Sequence, residues 1–278
     1  MGRKKLNLSV VQILNAPLKV LFENSKEGNN QVFHKCKGFT YSLCESNTID
    51  YLDMAILSAV NSLYIQKNSG NKIAYEQILK ILTGNCKYRM REKGASDRNT
   101  LDLVTLKDRL QKMNECILTI SKEENVMKGT LLNISFMEKH FILLEEPFLL
   151  RMISNDKLDV DYREFDLSLL TTKKNGPKHE SIESISTKFM ILSKCILMEQ
   201  ECKIHIKILK TEFGLEERQR KAEIWFKKKA ITSEQYYGNI KREKAKFNGF
   251  LDDLLEGMVN AGYITSYKKD SLNVTLFK

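Results

Sequence analysis

The stretch that most constrains this chain is Ser233–Phe277, where a long run with helical spacing passes directly into two short alternating segments. Ile240, Phe247, Leu251, Leu254 and Met258 recur at steps of seven, four, three and four, so they share one face of a helix. The opposite side, at about 100° per residue, carries Gly238, Lys241, Arg242, Ala245 and Gly249, with Asp252 further along. That outer stripe is basic and has small side chains. Small residues let a helix backbone come close to a partner, and Lys and Arg suit phosphate. Gly249 costs about 1 kcal/mol in a helix interior relative to alanine, so some use should offset it. The helix is expected to stop near Asn260-Ala261-Gly262, because glycine is favoured just past a helix end. Tyr263–Lys268 and Leu272–Phe277 then alternate around Lys269-Asp270-Ser271, which signals a hairpin.

A helix leading into a hairpin with a charged tip is the second half of a winged helix. The plainer reading is an amphipathic helix with a solvated face. Charge bears on the choice. The chain has 278 residues, 45 Lys and Arg against 35 Asp and Glu, and a formal charge of +10. Arg218–Lys246 alone holds ten basic and three acidic residues, a net +7. That favours an acidic partner such as nucleic acid. The length suggests two domains, and the 42% hydrophobic content supplies globular cores. No stretch approaches the roughly 18 apolar residues of a membrane span. Met1–Leu21 is interrupted by Asn7, Gln12, Asn15, Pro17 and Lys19 and does not read as a signal peptide. The cysteines (36, 44, 86, 116, 195 and 202) lack C-x-x-C spacing, so neither a metal nor another cofactor is expected. They read as reduced core residues of a cytoplasmic protein.

Residues 1–46 read as an N-terminal arm and leading strand, loosely docked to Asn30 and extended over Gln31–Cys44. Asn47 or Thr48 would cap a helix carrying Ile49, Leu52, Ile56, Val60 and Leu63. Lys72–Ala74 fits a short strand and Tyr75–Leu82 a second helix. The loop Asn85–Asn99 is basic, with Lys87, Arg89 and Arg91. Thr100 would cap a third helix, and Cys116–Ser121 with Lys128–Ser135 would form a hairpin. Three helices and a hairpin are the order of a winged helix, spanning residues 47–170. His140–Leu144 fits a strand or a helix, and Lys157–Leu170 looks extended. Thr171–His179, polar with Gly176-Pro177, reads as a linker (171–179). In residues 180–278, a helix to about Met198 precedes a strand at Lys203–Ile206. Helices at Ile208–Phe213 and Glu216–Lys229 follow, then Thr232 or Ser233 as cap, the long helix and the wing. The fold class expected is α+β, mostly helical, with two tandem winged-helix domains.

The halves share more than order. Gln77–Gly84 and Ile206–Gly214 have the same Ile/Leu/Lys character, and each precedes a basic segment, a helix and a hairpin. Here the chain resembles the theta-type plasmid replication initiators of bacteria, which are built from two winged helices. The resemblance covers about Ile49–Phe277 as architecture. It is strongest over Asn239–Val259 followed by Tyr263–Phe277, where a basic helix runs into an apolar end and then a wing. It implies sequence-specific binding to repeated origin sites, with the C-terminal module reading a major groove. It also implies that the N-terminal module contributes to DNA contact and dimerisation, and that host replication proteins are recruited. Ile231–Gly238 and the long N-terminal arm depart from the family's compact pattern.

Within the second module, Lys241 and Arg242 are the candidates for base-edge contacts, since Arg binds guanine bidentately. Lys244, Lys246 and Asn248 would hold phosphates, and Tyr237 would add a hydroxyl contact. Lys268 and Lys269 lie at the expected wing tip, and Lys227, Lys228 and Lys229 add non-specific attraction. Lys87, Arg89 and Arg91 would grip backbone from the first module. In that module's third helix, Leu103, Leu106, Leu110, Met113 and Ile117 should face the core. Leu101, Val104, Thr105, Asp108, Lys112 and Glu115 lie opposite. Asp108 and Glu115 would repel phosphate, while Leu101 and Val104 suit a protein partner, so this module is expected to be the weaker DNA reader and to self-associate, giving a homodimer.

Two alternatives use the same modules: a transcriptional regulator and a protein–protein adaptor. An enzyme is not expected, because His34, His140, His179 and His205 stand apart and no phosphate-binding glycine loop is present.

Overall fold

The computed structural model describes residues 11–13, 31–36, 39–44, 49–66, 71–83, 101–154, 163–165 and 181–278. Those up to Ile182 cluster into one compact unit and those from Glu183 into another. The fold is α+β, with helices and small antiparallel sheets. The expected linker 171–179 and the loop bearing Lys87, Arg89 and Arg91 lie outside the described residues.

The first unit opens with β1 (Val11–Ile13), β2 (Gln31–Cys36) and β3 (Phe39–Cys44). Its first helix, α1 (Tyr51–Ile65), starts at Asp50 rather than at Asn47 or Thr48. The Asp50 carboxylate accepts from the Asp53 N–H at 2.9 Å, and Asp53 accepts from the Asp50 N–H at 3.0 Å, a reciprocal cap. α1 is buried from Tyr51 to Leu63, so it is the core of the unit and not a half-solvated helix. β4 (Lys72–Ala74) and α2 (Tyr75–Thr83) follow as expected. α3 (Leu103–Glu115) is capped by Asp102, which accepts from the Thr105 N–H at 2.8 Å, rather than by Thr100. Leu101, expected on the outer side, is buried, whereas Val104 is exposed.

Lys112 does not face outward as its spacing suggested. Its Nζ lies 2.5 Å from Asp53, while Arg109 reaches Asp53 at 3.0 Å and Asp50 at 2.5 Å. A fully buried carboxylate between two cations ties α3 to α1. Burial and the Asp50 charge push Asp53 above its usual value, against Arg109 and Lys112. Burial works to raise Asp50 too, but Arg109 and the Asp53 N–H hold it low.

A first-module hairpin exists as β5 (Ile117–Lys122) and β6 (Asn125–Thr130), but its second strand starts at Asn125 and ends at Thr130 instead of running over Lys128–Ser135, and Ile117 belongs to a strand and not to the helical core face. This hairpin does not close on β4. It joins β3, in a sheet of order β2-β3-β5-β6. The ambiguous His140–Leu144 run is a strand, β8 (His140–Leu143), which pairs with β4 and with β7 (Ile134–Phe136). After α4 (Phe148–Ser154), β9 (Arg163–Phe165) pairs with β1, so Val11–Ile13 of the expected arm takes part in a ladder.

The second unit runs α5 (Ile182–Leu197), β10 (Glu201–His205), α6 (Ile206–Glu212), α7 (Leu215–Lys227), α8 (Ser233–Asn260), β11 (Ser266–Lys269) and β12 (Asn273–Phe277). Its sheet has the order β10-β12-β11, matching β4-β8-β7. In both units the strand after the first long helix pairs with the last strand of a hairpin. Ile185, Phe189 and Leu192 of α5, Leu209 of α6, Phe247, Leu251 and Leu254 of α8, and Val274 and Leu276 of β12 are buried. Phe213 packs on Phe247 and Phe250, with ring centroids 5.4 and 4.7 Å away.

α8 has 28 residues and is about 42 Å long. Thr232 caps it: its Oγ1 accepts from the Gln235 N–H at 3.2 Å, and Gln235 Oε1 accepts from the Thr232 N–H at 2.9 Å. At the other end Gly262 has φ +73°. Its N–H reaches Val259 O and the Tyr263 N–H reaches Met258 O, both at 3.0 Å. This is the paired-bond stop that a glycine just past the helix makes easy. The fully buried residues of α8 begin only at Phe247, and its first half packs against α7.

Candidate nucleic-acid interface

The outer stripe of α8 is open. Gly238, Lys241, Arg242, Ala245 and Gly249 are exposed, and a Cβ at either glycine would meet nothing within 4 Å. Lys244, Lys246 and Asn248 are exposed too. Lys241 and Lys244 pair with no acidic group among the described residues. Arg242 donates from Nη2 to Asn239 Oδ1 at 2.9 Å and sits 3.9 Å from Glu243. Lys246 Nζ lies 2.8 Å from Glu243. These partners are on the same helix, so the cations stay on its surface. Tyr237, near the helix start, is 68% exposed.

The hairpin divides its two lysines. Lys269 Nζ turns back to Asp252, pinning β11 to α8 at the end of the stripe, and so does not sit free at a wing tip. Lys268 is on the other face of β11, in register through Thr275 with Lys203 of β10. Lys203 carried no expectation from the sequence, because a strand-to-strand row depends on register. The turn itself is acidic and apolar. Asp270 accepts from the Leu272 N–H at 2.7 Å and the Asn273 N–H at 2.8 Å. These bonds, followed by the Lys203 and Lys268 charges, hold its carboxyl below the usual range.

Lys227, Lys228 and Lys229 are exposed at the α7–α8 corner. Lys227 pairs with Glu223 one turn back, at 2.6 Å; the pair faces solvent, so it leaves the lysine at the surface. Lys229 ends α7 with φ +57°. Its N–H reaches Phe226 O, and the Ala230 N–H reaches Trp225 O, both at 2.9 Å. A lysine takes the left-handed position that glycine usually fills, at a cost of roughly 1–2 kcal/mol.

Arg218, part of the basic surplus, is engaged in the fold instead. Its Nη2 donates to Phe213 O at 2.5 Å, its guanidinium lies 4.8 Å from the Phe213 ring centroid, and its Nε is 3.1 Å from Glu243. The α7–α8 corner also carries aromatic rings that the charge pattern did not reveal. Phe226 stacks on Tyr236 with centroids 5.0 Å apart, Tyr236 meets Tyr237 edge-on at 5.2 Å, and Trp225 is half exposed. The available signal was Trp225-Phe226 directly before three lysines and Tyr236-Tyr237 just after. Two grooves flank the α7–α8 seam. One, of about 200 Å³, is lined by Lys221, Ala222, Trp225, Ile240 and Arg242, among others. The other, of about 400 Å³, includes Lys210, Glu216, Lys244 and Asn248.

In the first unit Val104, Asp108 and Glu115 of α3 are exposed. Among the described residues, no helix is long and apolar enough to cross a membrane. No family model matches the chain, and no curated protein matches it. Among solved structures, domains 2 and 3 of RctB align with it at 9% identity, over 88% of this chain and 89% of that one. The TM-score is 0.36, a likeness too low to carry an argument about function.

Proposed function

We propose that this chain is a sequence-specific double-stranded-DNA-binding protein of the replication-initiator kind, acting without catalysis through two winged-helix domains. The observation that carries the reading is the α8 stripe. It is basic, solvent-facing, lined by small residues, and opposite a buried apolar seam. An α-helix fits the major groove of B-DNA, and the exposed glycines allow close approach. Lys241 and Arg242 read base edges, while Lys244, Lys246 and Asn248 hold phosphates. Lys227, Lys228, Lys229 and Lys268 add backbone attraction, and Tyr237 adds a hydroxyl contact. The shared strand order β4-β8-β7 and β10-β12-β11 supports two related winged-helix modules. The first module, with Asp108 and Glu115 exposed beside Val104, self-associates to give a homodimer and leaves base reading to the second. Host replication proteins are further partners.

The test is a selection from random duplex DNA followed by a salt titration. About six neutralised phosphates give a log–log slope near −5. A recovered motif with that slope supports the reading, whereas a slope near zero removes nucleic acid as the partner.

A further inference from the structure

We infer that the groove between α7 and α8 is a stacking site for the bases of single-stranded DNA, with Trp225 as its platform. Single exposed apolar residues are ordinary. Here Ile224, Trp225, Phe226 and Tyr237 are all exposed at one corner, Trp225 at 53%. Phe226 already stacks on Tyr236, but Trp225 has no ring partner among the described residues. It lines a groove of about 200 Å³, below the range of drug-sized ligand sites and suited to one planar ring.

Charge complementarity selects the occupant. Arg218, Lys221 and Arg242 line the same groove against one acidic residue, Glu243; Lys221 also pairs with Glu217 at 2.7 Å, and Lys228, Lys229 and Lys241 lie exposed on the adjoining stretches of chain. Planar rings interleaved with cations are what a sequence-tolerant single-strand site needs: the cations track the backbone and the rings take the bases. Bases within a duplex are stacked inside and cannot reach Trp225, so the ligand is a single strand. An acidic peptide would match the charge, but it brings no succession of flat faces. The choice of DNA over RNA rests on the duplex reading above; the stacking itself does not.

Trp225 is the only tryptophan in this chain of ten tyrosines, so fluorescence excited selectively at tryptophan reports this site alone. A short oligothymidylate should quench it, whereas an abasic oligomer with the same phosphates should bind more weakly and leave it bright. Trp225→Ala, followed by anisotropy of labelled oligomer, should weaken oligothymidylate binding about 5- to 150-fold, the worth of one stacked base. It should leave duplex affinity within about threefold. Equal quenching by the abasic oligomer, or unchanged binding by the alanine variant, overturns the site. So does tighter binding of an alternating Asp/Leu peptide than of the oligomer. Tighter binding of oligouridylate overturns the assignment to DNA. Absence of duplex binding by the unaltered protein, with quenching by the oligomer intact, would overturn the duplex reading alone.

Discussion

Arg218 on α7 holds its Nε 3.1 Å from Glu243 Oε2 on α8, and the same carboxylate takes Lys246 Nζ at 2.8 Å. One acidic residue in the middle of a basic segment thus clamps two helices and restrains a surface cation. Glu243→Gln should lower stability by about 1–2 kcal/mol, since a partly buried charge loses its partner. It should also free Lys246 and Arg242. Urea unfolding should show the lower midpoint, and duplex affinity at constant salt should hold or rise. A fall in affinity with unchanged stability would assign Glu243 to DNA contact instead.

Lys241 and Arg242 are exposed and hold no other element in place. Changing both to alanine should alter stability by less than about 0.5 kcal/mol and abolish specific duplex binding. Lys246→Ala should weaken all sequences alike and reduce the salt slope by about one. Asp108→Ala should leave binding as it was. Gel shifts with the order of Asp108 and Lys241–Arg242 reversed would contradict the assigned division between the units.

The glycines separate structure from approach. Around Gly249 the space is open, so Gly249→Ala should stabilise α8 by about 0.5–1 kcal/mol. Gly249→Phe should fold and yet lose duplex affinity, because a large ring would hold the helix off the groove. Gly129 of β6 differs: a Cβ there would collide with the Phe148 ring. Gly129→Ala should therefore cost about 1–3 kcal/mol. Thermal unfolding and anisotropy on the three variants check the set.

Acid should loosen the hairpin turn before anything else in it. The Leu272 and Asn273 N–H groups, and then Lys203 and Lys268, depress the Asp270 carboxyl below its ordinary 3.8. The stabilisation is therefore complete above that value and disappears as pH falls through the lower folded value. Amide exchange at Leu272 and Asn273, corrected for intrinsic rates, should be steady from neutral pH to about 4 and rise below it. Asp270→Ala should expose both amides at neutral pH and erase the acid dependence; protection that persists in this variant would show that the turn does not need the carboxylate.

Much of the second unit was legible because its signals are local. Helix α8 followed from the spacing of Ile240 to Met258, its start from Thr232 and its end from Gly262. Asp50 and Asp102 cap their helices where Asn47, Thr48 and Thr100 precede them by two or three residues, because several neighbouring side chains can cap and only the packed helix decides which one does. The His140–Leu143 strand could not be told from a helix, since a short apolar run has no diagnostic period. Sheet membership was further still from reach: β5–β6 reads as a hairpin from its own residues, but nothing in them says that β3 and not β4 is the neighbour.

The order of residues by itself determined α8, its buried seam and its basic outer stripe, because helical spacing and end signals act within a few residues of one another. Only the tertiary structure decided which cations remain at the surface. Arg218 is drawn to Glu243, Lys269 to Asp252 and Lys112 to Asp53, through pairings set by packing between elements distant in sequence. Lys241 on the open stripe and Lys244 at the edge of the α7–α8 groove stay exposed because neither forms an ion pair among the described residues.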